Sequence, residues 1–268
     1  INFETGDYGI CQCESCRKRT GSKRDEYMSI EDMVIQYSEL FDTAWSVNKD
    51  LWLICECYFD NILDPDRFEP LRSLPRKTIF QWTVNRQYWP RVKKSLTKES
   101  VSNLPTGRRV LRTHMGSQWN GERYTLVART YAELCQVARR AGMDGCTIFG
   151  EVSDFSVVNE INYLAFEEFA CNPNAEWSSF VEDKLGRILG GKELAVKYLE
   201  LLDTPMNIKN LRDAIRKTKE ALITVNGEAY RRWIWLTNRL YAQLKTAESL
   251  SERDKKSALT AESNGKRR

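Results

Sequence analysis

The run 51–60, LWLICECYFD, is apolar on both faces until Glu56. A half-exposed strand alternates polar and apolar side chains. A strand apolar on both sides belongs in a parallel sheet covered by helices. Shorter runs of the same kind recur at 78–83 (TIFQWT), 109–115 (RVLRTHM) and 145–151 (GCTIFGE). The opening run 1–16, INFETGDYGICQCESC, reads as the end of a buried strand breaking into a loop with Glu4, Asp7, two glycines and three cysteines.

Helical patterns separate these runs. Ser29, with Asp32 three residues on, makes a capping-box-like start. Ile30, Met33, Val34, Tyr37, Phe41, Ala44 and Trp45 then share one face. Residues 85–96 are weakly helical and interrupted by Pro90. Residues 125–141 place Val127, Tyr131, Leu134, Ala138 and Ala141 on one face, with Gly142 as the stop. Residues 157–171 return to helix.

Strand and helix in alternation call for a parallel sheet with right-handed crossovers. Two α/β architectures fit. One is the second half of a (β/α)8 TIM barrel, strands four to eight. The other is a complete five-stranded doubly wound sheet. No G-x-G-x-x-G follows any strand, which weakens a nucleotide-binding reading. The chain starts with Ile in mid-strand, and the half barrel is the expectation, with its N-terminal barrel half as the missing partner.

After Cys171 the pattern becomes all-α. Segments 176–189, 193–202, 208–223 and 228–247 are separated by Gly190-Gly191, Thr204-Pro205 and Asn226-Gly227. Trp233, Leu236, Leu240 and Leu244 repeat at helical spacing, as in the core of a bundle. The expected organisation is a barrel half over 1–171, a helical extension over 172–250, and a polar, disordered tail over 251–268.

Net charge is +4 from 41 basic and 37 acidic residues, a mixed surface without a nucleic-acid footprint. No apolar run is long enough to span a bilayer and no signal peptide is visible, so no membrane partner is expected; any targeting signal would lie upstream of Ile1. The eight cysteines fall unevenly. Cys11, Cys13 and Cys16 sit in one loop, and Cys55 and Cys57 in one strand. Cys135, Cys146 and Cys171 stand in apolar settings as small core residues.

The loop C-x-C-x-x-C (Cys11, Cys13, Cys16) resembles one found in large barrel proteins related to glycoside hydrolases, the α-glucuronidase and β-hexosaminidase-like barrels. Gly150-Glu151-Val152-Ser153 is similar to their last barrel strand. Asn162 to Phe166, then Asn172-Pro173 and Trp177 leading into helices, are similar as well. The resemblance covers roughly residues 1–202. It implies a (β/α)8 barrel acting on a carbohydrate substrate, with no required cofactor.

Glycoside cleavage uses two carboxyl groups, one protonating the leaving oxygen and the other serving as nucleophile or activating water. In a barrel they come from the C-terminal ends of different strands. The catalytic candidates are Asp7, Glu4, Glu151 and Glu56, with Asp7 or Glu4 as acid and Glu151 as base or sugar ligand. A structural ion pair is the competing reading for Glu56 and Glu151, and a turn beside Gly6 and Gly9 for Asp7. His114, the one histidine, with Trp82, Trp119, Asn85 and Tyr8, forms the candidate sugar-contacting set. Trp89 also follows a strand end. Core packing is the alternative for these tryptophans. The loop thiols admit three readings: a structural zinc site completed by Cys57, a disulfide, or free thiols. A non-catalytic carbohydrate-binding barrel and a zinc-containing nucleic-acid binder built on Cys11 to Arg19 are the alternatives to the hydrolase.

Overall fold

The computed structural model describes residues 2–3, 11, 13–20, 30–58, 68–115, 125–149 and 156–265. The chain is mixed α/β and rich in helix, and divides into two compact units. One comprises 1–153 with 165–174, the other 154–164 with 175–268. The division therefore falls inside the helix 157–171, not at the Asn172-Pro173-Asn174 break where composition places it.

In the α/β unit the strands are β1 (Asn2–Phe3), β2 (Leu53–Tyr58), β3 (Thr78–Asn85), β4 (Arg108–His114) and β5 (Gly145–Ile148). All pairings are parallel and the order is β1-β2-β3-β4-β5; β1 is a two-residue edge on a four-stranded sheet. A doubly wound sheet reverses its strand order at a switch point. These strands never reverse, so the doubly wound alternative is set aside. Right-handed crossovers that always step the same way put their connections on one face of the sheet.

The register sorts side chains into two faces. Cys57, Trp82, Leu111 and Cys146 lie in one row, since Cys57 pairs with Trp82, Trp82 with Leu111, and Leu111 with Cys146. Cys55, Phe80 and Val84, two residues away, and Leu53, four away, share that face, and all but Cys146 are fully buried. The helices that could cover it are α2 (Ile30–Val47) and α5 (Ala128–Ala141), which follow α1 (Glu14–Thr20), and α3 (Trp89–Ser95) and α4 (Lys98–Ser102), respectively. The buried stripe of α2 is Ile30, Met33, Tyr37, Phe41 and Ala44, the face its periodicity predicts. Tyr37 ties it to the sheet: its hydroxyl oxygen accepts the Glu56 backbone N–H at 3.2 Å. Burial pushes the Tyr37 phenol well above its usual range. Pro90 does not interrupt α3 but opens it, where a proline ring costs no hydrogen bond. Helix α5 ends on Gly142 in the left-handed region (φ 85°).

The helical unit holds the first part of α6 (Val157–Cys171), then α7 (177–189, with a π-helical stretch Phe180–Leu185), α8 (Lys192–Leu202), α9 (Ile208–Leu222) and α10 (Gly227–Gly265). Its core centres on Trp233, whose indole N–H donates to the Leu189 carbonyl at 2.9 Å. The Tyr198 ring meets Trp233 edge-on at 5.0 Å, and the Tyr198 hydroxyl donates to the Arg232 carbonyl at 2.9 Å. Leu236 and Leu240 are buried beside them. Glu160 receives the Arg232 guanidinium, with Nε at 2.8 Å. Composition marks 251–268 as a disordered tail, yet α10 stays helical to Gly265. The run SERDKKSALTAES carries Glu, Arg, Lys, Ala or Leu, the better helix formers, at eight of its thirteen positions, and extending an existing helix costs no new nucleus.

Candidate functional site

The second face of the sheet carries Ile54, Ile79 and Val110 but turns polar toward the C-terminal ends of its strands. Register places Thr83, Arg112 and Thr147 in one row, with Glu56 and Gln81 paired in the row before it and Asn85 and His114 paired in the row after. Period-two alternation forces this arrangement, since it sets residues 56, 81, 83, 85, 112, 114 and 147 opposite the apolar row. Glu56 and Arg112 are 2% and 6% exposed, so this is a polar layer inside the protein and not a wet surface.

A charged group at such depth needs a partner. The Glu56 carboxylate takes the Arg112 guanidinium and a hydrogen bond from the Thr83 hydroxyl at 2.9 Å. The guanidinium lies over the Phe149 ring at 4.4 Å, and the His114 ring packs edge-on to Phe149 at 4.2 Å. Gln81 Nε2 donates to the Thr147 hydroxyl at 2.8 Å. At the strand ends, the Asn85 side-chain oxygen accepts the Tyr88 N–H at 3.1 Å, and Asn85 and His114 sit side by side, half-buried.

Several sequence expectations change here. Trp82 is fully buried on the apolar face, edge-on to Phe68 at 6.1 Å and stacked near Phe80 at 6.2 Å. It cannot stack on a sugar. The reason is that β3 runs on to Asn85, which puts Trp82 inside the strand. Trp89 is buried too, its indole donating to Glu133 at 2.9 Å. Glu56 sits in an ion pair in place of standing at an open rim. Asn85 and His114 are neighbours in register at the ends of β3 and β4. Glu4, Asp7, Tyr8, Trp119 and Glu151 lie outside the described residues. Arg112, Thr83, Gln81, Thr147 and Phe149 were not singled out by sequence reasoning. Arg112 had a signal: a second charge, two residues from His114 in a short strand, opposite in sign to Glu56.

A second cluster lies at the sheet's other end of the chain order. The sulfurs of Cys11, Cys13 and Cys16 all lie within 4.8 Å of one another and could hold a metal ion. Cys11 and Cys13 are exposed and Cys16 is buried. The Cys16 backbone N–H points to Cys13 Sγ at 3.5 Å, the turn that a C-x-x-C spacing allows. That N–H, then the Cys16 and Cys11 thiols, draw the Cys13 thiol down to about 7. Cys16 is the donor in return: giving its S–H to the Cys13 and Cys11 sulfurs holds its own proton and lifts it to about 11. Arg19 Nη2 donates to Cys16 Sγ at 3.2 Å, and its Nε donates to Asp32 at 2.9 Å. Soft sulfur donors of this kind select thiophilic ions.

Cys57 is not part of this group. It is fully buried in β2, its sulfur 3.9 Å from that of Cys55. Burial pushes the Cys57 thiol well above its ordinary value. Its strand position puts it on the apolar face beneath α2, so it behaves as a small core residue and not as a fourth ligand.

No family model, curated protein or solved structure matches this chain. Among the described residues, no helix is long and apolar enough to cross a membrane.

Proposed function

We propose that the α/β unit is a segment of a singly wound (β/α)8-type sheet that binds glycans at the C-terminal ends of its strands. The observation that carries this is the unreversed parallel order β1-β5 combined with a buried polar face. A barrel fills its interior with side chains from its strands and displays its ligand site where those strands end. The rows Glu56–Gln81, Thr83–Arg112–Thr147 and Asn85–His114 climb one face of the sheet toward those ends, and the last row is half-buried. His114 and Asn85 supply hydrogen-bonding groups there, and the Phe149 ring packs against His114.

In this reading Glu56 and Arg112 hold the strand ends in register and do not touch the sugar. Cleavage of a glycosidic bond then falls to Asp7, Glu4 and Glu151. A second reading, glycan binding without hydrolysis, is favoured by the Glu56–Arg112 pair, which engages the buried carboxylate of this layer. The ion held by Cys11, Cys13 and Cys16 is zinc in this proposal, with a structural role in pinning the loop after β1. Zn–S bonds of about 2.3 Å at tetrahedral angles set sulfurs about 3.8 Å apart, a contraction the cluster can make from separations within 4.8 Å.

The test is a glycan array probed with the full chain, followed by titration of any hit against His114→Ala and Asn85→Ala. Binding weakened tenfold or more in both variants supports the reading. Hits unaffected by both variants, or no hits at all, overturn it. Hydrolysis of aryl glycosides that is lost in Glu151→Gln selects the enzyme; binding without turnover selects the second reading.

A further inference from the structure

We propose that Arg19, held in place by Asp32, is the outer-shell positioning residue of the Cys11–Cys13–Cys16 metal site, and that it couples occupancy of the site to helix α2. This rests on the metal reading above and adds the residue that sets its affinity and the element that feels it.

Charge makes the first argument. A divalent cation on three thiolates carries a net charge of −1. A cation beside one sulfur offsets it. The Arg19 guanidinium is that cation, with Nη2 at 3.2 Å from Cys16 Sγ. Cys16 is the buried member of the three, so charge there is the least relieved by water.

Geometry makes the second. Arg19 does not swing freely over the cluster. Its Nε and Nη2 reach the same Asp32 oxygen at 2.9 and 2.8 Å. Asp32 lies in the first turn of α2, between Ile30 and Met33, which are both buried. The contact chain therefore runs from sulfur to guanidinium to carboxylate to an anchored helix end. A guanidinium can serve a carboxylate and a sulfur at once through separate N–H groups in one plane. A lysine ammonium is a point charge and holds no such orientation. Partners of metal ligands act in this way: they fix the ligand atom and tune its donor strength, and their loss costs metal affinity about 10- to 100-fold.

A plain surface ion pair is the competing account. Arg19 and Asp32 side chains are 42% and 21% exposed, and a pair so placed contributes little to stability. The two accounts differ in what the pair does for the metal. The experiment titrates the metal-free full chain with Co2+, read by its thiolate charge-transfer absorption, and then displaces Co2+ with Zn2+. Expected results are a band that weakens in Cys11→Ser, Cys13→Ser and Cys16→Ser, and survives in Cys57→Ala. Arg19→Met should keep the band but lower affinity about 10- to 100-fold, with Arg19→Lys in between and Asp32→Asn shifted the same way. Amide exchange in the first turn of α2 should slow on metal addition in the wild-type chain and stay unchanged in Arg19→Met. Unaltered affinity in Arg19→Met overturns the proposal while leaving the metal site standing. A wild-type chain that takes up neither Co2+ nor Zn2+ removes both.

Discussion

Replacing Arg112 with Met should unfold the sheet more readily than any other single change in the polar layer. Glu56 and Arg112 are 2% and 6% exposed. The substitution removes the guanidinium from a buried carboxylate that also accepts from the Thr83 hydroxyl at 2.9 Å. Breaking a buried pair from one side costs about 3–5 kcal/mol, because a charge stays behind in a medium that solvates it poorly. At a urea m-value of about 3 kcal/mol/M, the unfolding midpoint should fall by roughly 1–1.7 M. Thr83→Val removes one hydrogen bond to a charged acceptor and should cost about 1.5–3 kcal/mol. The double variant Glu56→Leu with Arg112→Met replaces both charges by apolar groups. It should lie close to the wild type, since well-packed hydrophobic substitutes for a buried pair are commonly neutral or stabilising. The assay is urea unfolding of the full chain followed by circular dichroism, with m compared between variants. A midpoint shift below about 0.3 M for Arg112→Met, or a double variant as unstable as the two single losses added, would refute the buried-layer argument.

Other consequences can be checked as directly. A Cβ on Gly107 would sit 2.6 Å from the Thr78 carbonyl oxygen and 2.9 Å from the Phe80 ring, so Gly107→Ala should destabilise the chain by about 1–3 kcal/mol; an unchanged urea midpoint would mean the β3–β4 approach is looser than described. In the helical unit a Cβ on Gly190 (φ +100°) would meet Val225 at 2.7 Å, and Gly190→Ala should lower the melting temperature where Gly191→Ala, with open space around it, does so by less. Burial alone would raise the Glu133 carboxyl, but hydrogen bonds from Lys93 and Trp89 outweigh it and hold the group below the usual carboxylate range. A depressed native value means its stabilising contribution is present above the unfolded pKa of about 4.3 and lost as pH falls through the native one. The stability gap between wild type and Glu133→Gln should therefore close on acidification, and a gap constant from pH 7 to 2.5 would contradict this.

Much of the backbone was legible because it follows from local spacing. The α2 stripe, the Gly142 stop and the helix Val157–Cys171 are set by periodicity and by a left-handed cap. The bundle residues Trp233, Leu236 and Leu240 are buried as their spacing requires. The departures from the sequence reading have separate causes. Trp82 reads as an edge residue because strand ends are poorly marked in sequence, and two further residues of β3 move it inside. Cys57 matched a ligand by type, but which face of a strand it occupies depends on register with the neighbour, not on composition. The capping box of Thr97 and Ser100 opens a helix, α4, only five residues long, too short for an apolar periodicity to announce it.

Alternation and side-chain type were enough to specify parallel strands alternating with helices, a run of helices toward the C-terminus, and three thiols close in sequence. They act over a few residues, and local geometry carries them. Strand order, and with it the meeting of Glu56 with Arg112 and of Asn85 with His114, came only with the folded chain. Those partners are brought together by hydrogen-bond register between strands, a long-range condition that no short stretch of sequence encodes. The same holds for Arg19 and Asp32, which belong to different helices and meet because α1 packs on α2.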